Sequence, residues 1–437
     1  MKQAKRFGVL FGFVVLAVLS LGVFSVAAQD QITIKFLSHD YAPREKIDRE
    51  IIAQFEKDNP NIKVEYTIGP GDDSQYVPQL LTALGSGEGP DLFNVLTFLV
   101  PDLIPSKAVV PVDAVAAGFK SQQDIIDAYV PGVLDSMIGE DGQLYALPTE
   151  LGNYALFINA KLFKEAGLDP SKDIPKTWED MMAIAPKLTK KDASGNITQR
   201  AFDFAYPMPD EIVSGEITYI GMAHQLGGEL FNKDRTEGTI NTEAWVKTYT
   251  FVRDYAKEFG GMSYTPATVD FYSGTVAIVI SGPWYLPAVI EANNKDMVPD
   301  VVTAPFPRWK DGLVNNTGSA MYAYGLHVNV QSSPEVQKAA WMLAGKLTNY
   351  PDRYFSEALL LQPRLSLVNN KDLMAGSFAS MFIQDMQGNP QLPALKNFGE
   401  LPGIMQRALQ SMLSDGVDPQ EALNKANDEL TALLKKE

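Results

Sequence analysis

Residues 31–37 alternate as a strand, residues 43–59 place Ile47, Ile51, Ile52 and Phe55 on one helical face, and residues 62–68 return as a second strand. Strand, helix and strand in that order require a right-handed crossover, so the two strands lie parallel in one sheet. Pro43 opens the helix and Pro60 ends it. A third strand over 92–96 follows a helix at 76–84 and a glycine-rich loop at 85–89, continuing the α/β alternation.

A second stretch, DFYSGTVAIVISGPWY at 270–285, reads as helix, buried strand, turn, helix. Gly274 closes the first helix, residues 276–280 are an unbroken apolar run, and Pro283 suits a first helical turn. Trp284 then stands beyond the carboxyl end of a strand, where open α/β sheets bind small ligands and free helical N–H groups point. A flat indole there can stack on a ligand ring. The alternative is a large core residue plugging the strand end.

At 437 residues the chain exceeds one ordinary core, which implies two lobes. Lys2, Lys5 and Arg6 precede an apolar run over 7–24, and Val26, Ala27 and Ala28 supply small residues, so residues 1–28 read as a secretory signal cut after Ala28. The run is long enough to span a bilayer, which leaves an uncleaved anchor as the alternative. Loss of its three basic residues takes the formal net charge from −16 to −19. Such a surface repels phosphate backbones and excludes a nucleic-acid partner. The chain has no cysteine, hence no disulfide and no thiolate metal site. His39, His224 and His327 are far apart, and no metal is expected. There is no GxSxG, phosphate loop, GxGxxG, HExxH or DxDxDG calcium loop, and no cofactor is expected.

The GPW after its apolar strand, SGEGPDLFNV at 86–95, PTELGNYALFINAKLFKEAGLD at 148–169, KTWED at 176–180, NTGSAMYAYGLHVN at 316–329 and YPDRYFSEALLLQPRLSLVN at 350–369 resemble the extracellular solute-binding proteins of ABC importers, in their sugar-carrying branch. The resemblance covers nearly the whole chain after the signal segment. It implies an α/β, two-lobed periplasmic-binding-protein fold of type II, each lobe a sheet flanked by helices, with three segments crossing the hinge. One lobe takes residues 29–147 and 304–349, the other 148–303 and 350–437. The absence of cysteine removes the lipid tether of many relatives, giving a freely diffusing, monomeric protein outside the inner membrane.

The resemblance also nominates contacts. Trp284 stacks on a ring, Phe98 ends the third strand, and Asp40 offers a carboxylate after the first, with a cap or turn as the other reading of Asp40. Glu150, Asn153 and Tyr154 line the cleft at the first crossing, the alternative being an interlobe pair near the hinge. Trp309 follows the second crossing, and Gly318 and Ser319 bring backbone amides near ligand. Arg364 either forks onto ligand oxygens or locks a carboxylate within a lobe. The implied function is capture of a carbohydrate, an oligosaccharide, and its delivery to an ABC permease, with no enzymatic activity. Alternatives are another polar solute, a glycerol phosphodiester or polyamine, or an extracytoplasmic polysaccharide-processing enzyme.

Overall fold

The computed structural model describes residues 31–204, 216–262, 268–314, 319–387, 390, 392 and 395–436. The expected signal segment at 1–28, the polar loop over 206–215 and Gly318 lie outside the described residues. No described helix is long and apolar enough to cross a membrane.

The opening crossover forms as expected. β1 (Ile32–His39), α1 (Ala42–Asp58) and β2 (Ile62–Gly69) set two parallel strands in register from Ile32 opposite Ile62 to His39 opposite Gly69. α2 (Asp73–Ser86) then leads to β3 (Leu92–Leu96), parallel to β1, and the Tyr76 hydroxyl donates to the Asn94 carbonyl at 2.7 Å. β4 (Leu147–Gly152) is followed almost at once by β5 (Ala155–Asn159), whose last residue caps the next helix through its side chain. α3 (Trp178–Leu188) starts with a capping box between Thr177 and Asp180. β6 (Lys190–Lys191), β7 (Ile197–Phe202), α4 (Glu216–Gln225), α5 (Glu243–Phe259), β8 (Val276–Ser281) and β9 (Val301–Ala304) complete the middle of the chain. β10 (Tyr322–Val328) then returns antiparallel between β3 and β4.

Two five-stranded sheets result, ordered β2-β1-β3-β10-β4 and β6-β7-β8-β5-β9. The chain passes between them first at Asn153 and Tyr154, because β4 stays paired to β10 as far as Gly152 opposite Tyr322. That is later than the expected boundary at residues 147–148. The second passage joins β9 to β10.

The third passage is also displaced. α6 (Pro334–Leu347) packs on β1 and α1, and α7 (Pro351–Ala358) packs on α1 as well. The Tyr354 hydroxyl donates to Asp48 and Arg353 pairs with Glu50, so the chain remains beside the first sheet past residue 350. Pro363 still accepts from the Val130 N–H at 3.0 Å. α8 (Ser377–Asp385) reaches the other side, with the Phe382 ring 6.4 Å from Phe157 of β5. α9 (Glu400–Ser414) and α10 (Pro419–Leu434) pack on α5.

The segment after β8 departs from an ordinary helix. Pro283 and Trp284 form a turn, and Leu286–Glu291 is wound as a π-helix. Pro287 lies within it, has no N–H to donate, and disrupts the i→i−4 ladder.

His327 on β10 is fully buried, stacked 5.5 Å from Phe93. Its Nδ1 is 2.9 Å from the Gly325 carbonyl, which only accepts, so Nδ1 carries the proton and Nε2 the lone pair. Burial pushes its pKa from 6.5 down to about 4. A folded-state pKa below the unfolded one contributes stability that is full above pH 6.5 and is lost as pH falls towards 4. The shift corresponds to about 3 kcal/mol. His327→Phe, which retains a stacked ring, is expected to flatten the fall of Tm across that window in a pH series of thermal melts.

Candidate functional site

A narrow crevice opens where the two sheets meet. Glu150, Leu151 and Gly152 of β4, Tyr322 of β10 and Leu359 to Leu361 after α7 line it from the first sheet, and Pro283 and Trp284 from the second. Two glycines are required by close approach. A Cβ on Gly152 would stand 2.3 Å from the Tyr322 ring, and one on Gly282 would stand 2.4 Å from Trp284 Nε1. Trp284 is half-buried and meets Tyr285 edge-on at 6.2 Å. Its Nε1 lies against Gly282 and is itself buried without a hydrogen-bond partner among the described residues.

Behind the crevice lies a buried polar cluster. Arg44, in the first turn of α1, sends Nη1 to Glu150 Oε2 at 3.0 Å and Nη2 to the His39 carbonyl. The same Nη1 is 3.2 Å from His39 Nε2, and because guanidinium only donates, Nε2 is the accepting nitrogen of a neutral ring. Burial, then the Arg44 charge, holds the His39 pKa well below its usual value. Burial opposes the charge on Arg44, but Glu150 and then Asp48 more than restore it. Burial raises the Glu150 carboxyl, and Arg44 pulls against that rise. Asp48 accepts from the hydroxyls of Tyr66 and Tyr354, and Asp73 accepts from Tyr324. Burial lifts Asp73 to about 6 in spite of that bond. His39 stacks on Tyr324 with ring centres 4.2 Å apart.

Of the residues expected at the site, Glu150 and Trp284 meet at the crevice. Tyr154 stands at its edge in the first passage, its ring perpendicular to Tyr322 at 6.3 Å. Ser319 is fully buried, and its Oγ accepts from the Tyr154 N–H at 3.1 Å. Asp40 is exposed after β1, with no hydrogen bond or ion pair from its carboxylate among the described residues.

Four expected contacts are structural instead. Asn153 is buried and donates from Nδ2 to the Phe382 carbonyl at 2.7 Å, stapling the first passage to α8. Phe98 is buried against Phe398, with ring centres 4.2 Å apart. Trp309 sits in the core of the second lobe, where its Nε1 donates to the Met222 carbonyl at 3.0 Å and its ring meets Phe251 at 5.1 Å. Arg364 is buried, donates to the Thr348 carbonyl at 2.9 Å and to Asn349 Oδ1, and lies over Phe119 and Tyr129. It is a lock, but on amide oxygens rather than a carboxylate.

Sequence reasoning missed Arg44 and the tyrosines of β10. A signal existed for each. A cation in the first helical turn opposes the helix dipole and needs a nearby anion, and Tyr322 and Tyr324 two apart in a strand share one face. Among the described residues no group of histidines and carboxylates forms a metal site.

The profile of the bacterial extracellular solute-binding proteins matches residues 41–350. The chain belongs to that family. This solute-binding protein is 24% identical to the galactooligosaccharide-binding protein of Bacillus subtilis, over 100% of this chain and 99% of the relative. It is 24% identical to that bacterium's arabinooligosaccharide-binding protein, over 62% of this chain and 59% of the relative. Among solved structures, the GacH receptor of Streptomyces glaucescens, seen unliganded and with acarbose, superposes at a TM-score of 0.76 with 19% identity, covering 93% of this chain and 99% of that one. A solute-binding protein of Thermotoga lettingae bound to α-D-tagatose gives 0.76 with 20% identity, covering 92% and 100%. These structures share the two-lobed α/β fold.

Substitutions separate the locks from the crevice. Arg364→Met strands the buried Thr348 carbonyl and is expected to cost about 1–3 kcal/mol, and Trp309→Ala about 3–5 kcal/mol. Both losses are read in chemical denaturation. A defect of either variant that appeared only in ligand affinity, at unchanged stability, would contradict the packing roles.

Proposed function

We propose that this solute-binding protein captures a neutral oligosaccharide outside the cytoplasmic membrane and presents it, enclosed between its lobes, to the permease subunits of an ABC importer. The observation that carries the proposal is the half-buried Trp284 indole, with its N–H unpaired, facing Glu150 and Gly152 from the other sheet. An apolar face opposite a carboxylate suits a pyranose, which offers C–H faces and hydroxyls together. The names of the oligosaccharide-binding relatives point the same way.

The charges disfavour the other solutes. Arg44, the cation behind the crevice wall, is already bonded to Glu150 and His39, and no lining residue is a cation for a phosphodiester. Glu150 is likewise compensated, which weakens its appeal to a polyamine. A hydrolase would need two carboxyl groups flanking one glycosidic bond, and Glu150 is the one carboxylate among the lining residues. We therefore read the protein as a binder without catalysis.

In this reading the lobes divide at three passages, at 153–154, between β9 and β10, and at 365–376. Three passages restrict motion to bending, so a ligand touching both lobes favours the closed form. Asp40 and Tyr154 are assigned to the rim of the same cleft. The protein acts as a monomer without nucleic acid, exported by residues 1–28, which are either cut after Ala28 or kept as an anchor.

A micromolar complex needs about 8 kcal/mol, more than one stacked ring supplies at about 0.5–1.5 kcal/mol beyond its buried area. Hydrogen bonds and water exclusion supply the remainder. Isothermal titration against maltotriose, galactotriose, arabinotriose and mannotriose, with spermidine and glycerophosphocholine as charged controls, tests the assignment. One neutral trisaccharide is expected to bind at micromolar Kd or tighter, and Trp284→Ala to weaken it by about tenfold or more. Tighter binding of either charged control would falsify the carbohydrate assignment.

A further inference from the structure

Glu150 poses a problem that the crevice alone does not solve. Its side chain is nearly sealed from solvent, and burial drives a carboxyl towards its protonated form. A protonated Glu150 would lose much of its power to accept from ligand hydroxyls. We infer that Arg44 is the positioning residue of the site, holding Glu150 as an ionised acceptor at a fixed place in the crevice wall. The inference rests on the carbohydrate reading only for the identity of the donor that Glu150 meets.

The geometry divides the two carboxylate oxygens. Oε2 takes the Arg44 bond at 3.0 Å, whereas Oε1 accepts none among the described residues and lies 3.6 Å from His39 Nε2. Because that nitrogen already accepts from Arg44, it has no proton for Glu150. Oε1 is therefore left for a ligand hydroxyl. Arg44 is held in turn by the His39 carbonyl and lies 4.0 Å from Asp48, which the phenols of Tyr66 from β2 and Tyr354 from α7 fix in place. The guanidinium is thus braced from β1, β2 and the helix before the third passage, and it does not touch the crevice itself.

The charged and titratable groups around Glu150 are His39 from β1, Tyr41 from the turn before α1, Arg44 and Asp48 from α1, Asp73 from α2, and Tyr322 and Tyr324 from β10. Pro283 and Trp284 bring no charge from the facing sheet. Arg44 is the one permanent cation in this set. Without it, burial together with Asp48 and Asp73 would all oppose ionisation of Glu150.

The test begins without ligand. Carboxyl carbon-13 resonances of glutamate-labelled protein, with Glu150 assigned from Glu150→Gln, are followed from acid to alkaline pH in the wild type, Arg44→Met and Arg44→Lys. Arg44→Met is expected to raise the Glu150 midpoint by at least about one pH unit, and Arg44→Lys by less. Titration of the best-bound trisaccharide should then show affinity falling by about tenfold or more in Arg44→Met, with a loss on acidification through the shifted midpoint that the double variant with Glu150→Gln no longer shows. An unchanged midpoint, or a shifted midpoint with unchanged affinity at every pH, overturns the role of Arg44. If Arg44→Met does not fold, Arg44→Lys decides, since loss of the planar fork should weaken binding and undiminished affinity overturns the inference. A wild type that binds no trisaccharide overturns the carbohydrate reading alone, because the ligand-free titration still judges Arg44.

Discussion

One run of backbone, residues 147–159, pairs into both sheets with only Asn153 and Tyr154 between its two strands. Gly152 is registered opposite Tyr322, Ala155 opposite Ser281, and Leu156 opposite Ala304. Trp284 follows Ser281 by three residues and Glu150 precedes Gly152 by two, so the two sides of the crevice are indexed to the same ladder. A slip of either strand by one residue would turn every side chain to the opposite face. The separation of indole and carboxylate is thus set by main-chain hydrogen bonds rather than by loops, and a bending motion at the passage alters their distance without altering their register.

The polar cluster behind the crevice is a poor investment if stability alone is considered. Removing Arg44, Glu150 and Asp48 from water costs several kcal/mol per ion, and well-packed apolar groups of similar volume often do as well or better. The cluster is instead accounted for by its position. It spans β1, α1, α2, β4, β10 and α7, and its one member at the crevice surface is the carboxylate. Tyr66, Tyr354 and Tyr324 each donate a phenol to an acid, which lets the interior hold carboxylates at modest cost and keeps a rigid geometry.

Local chemistry made much of this legible in the sequence. The opening crossover, the buried strand before the GPW turn and the placement of Trp284 beyond a strand end all follow from periodicity and turn residues within a short window. What escaped depends on partners distant in sequence. Trp309 and Arg364 stand next to expected crossings, yet nearness in sequence to a crossing does not decide which way a side chain turns. The Trp309 ring finds Met222 and Phe251, and Arg364 finds the end of α6 and two rings from the 119–129 stretch. The third passage was misplaced for a related reason: Tyr354 and Arg353 look like any amphipathic helix until Asp48 and Glu50 are known to face them.

Closure need not be driven by the ligand alone. Phe98, at the end of β3 in the first sheet, packs at a tilt against Phe398, which precedes α9 beside the second, and the neighbouring Asp102 accepts from the Asn397 N–H at 3.2 Å. These contacts join the lobes through groups that are already satisfied, so they favour the closed arrangement by a fixed amount whatever occupies the crevice. A ligand shifts the equilibrium only by its differential contacts with the two forms.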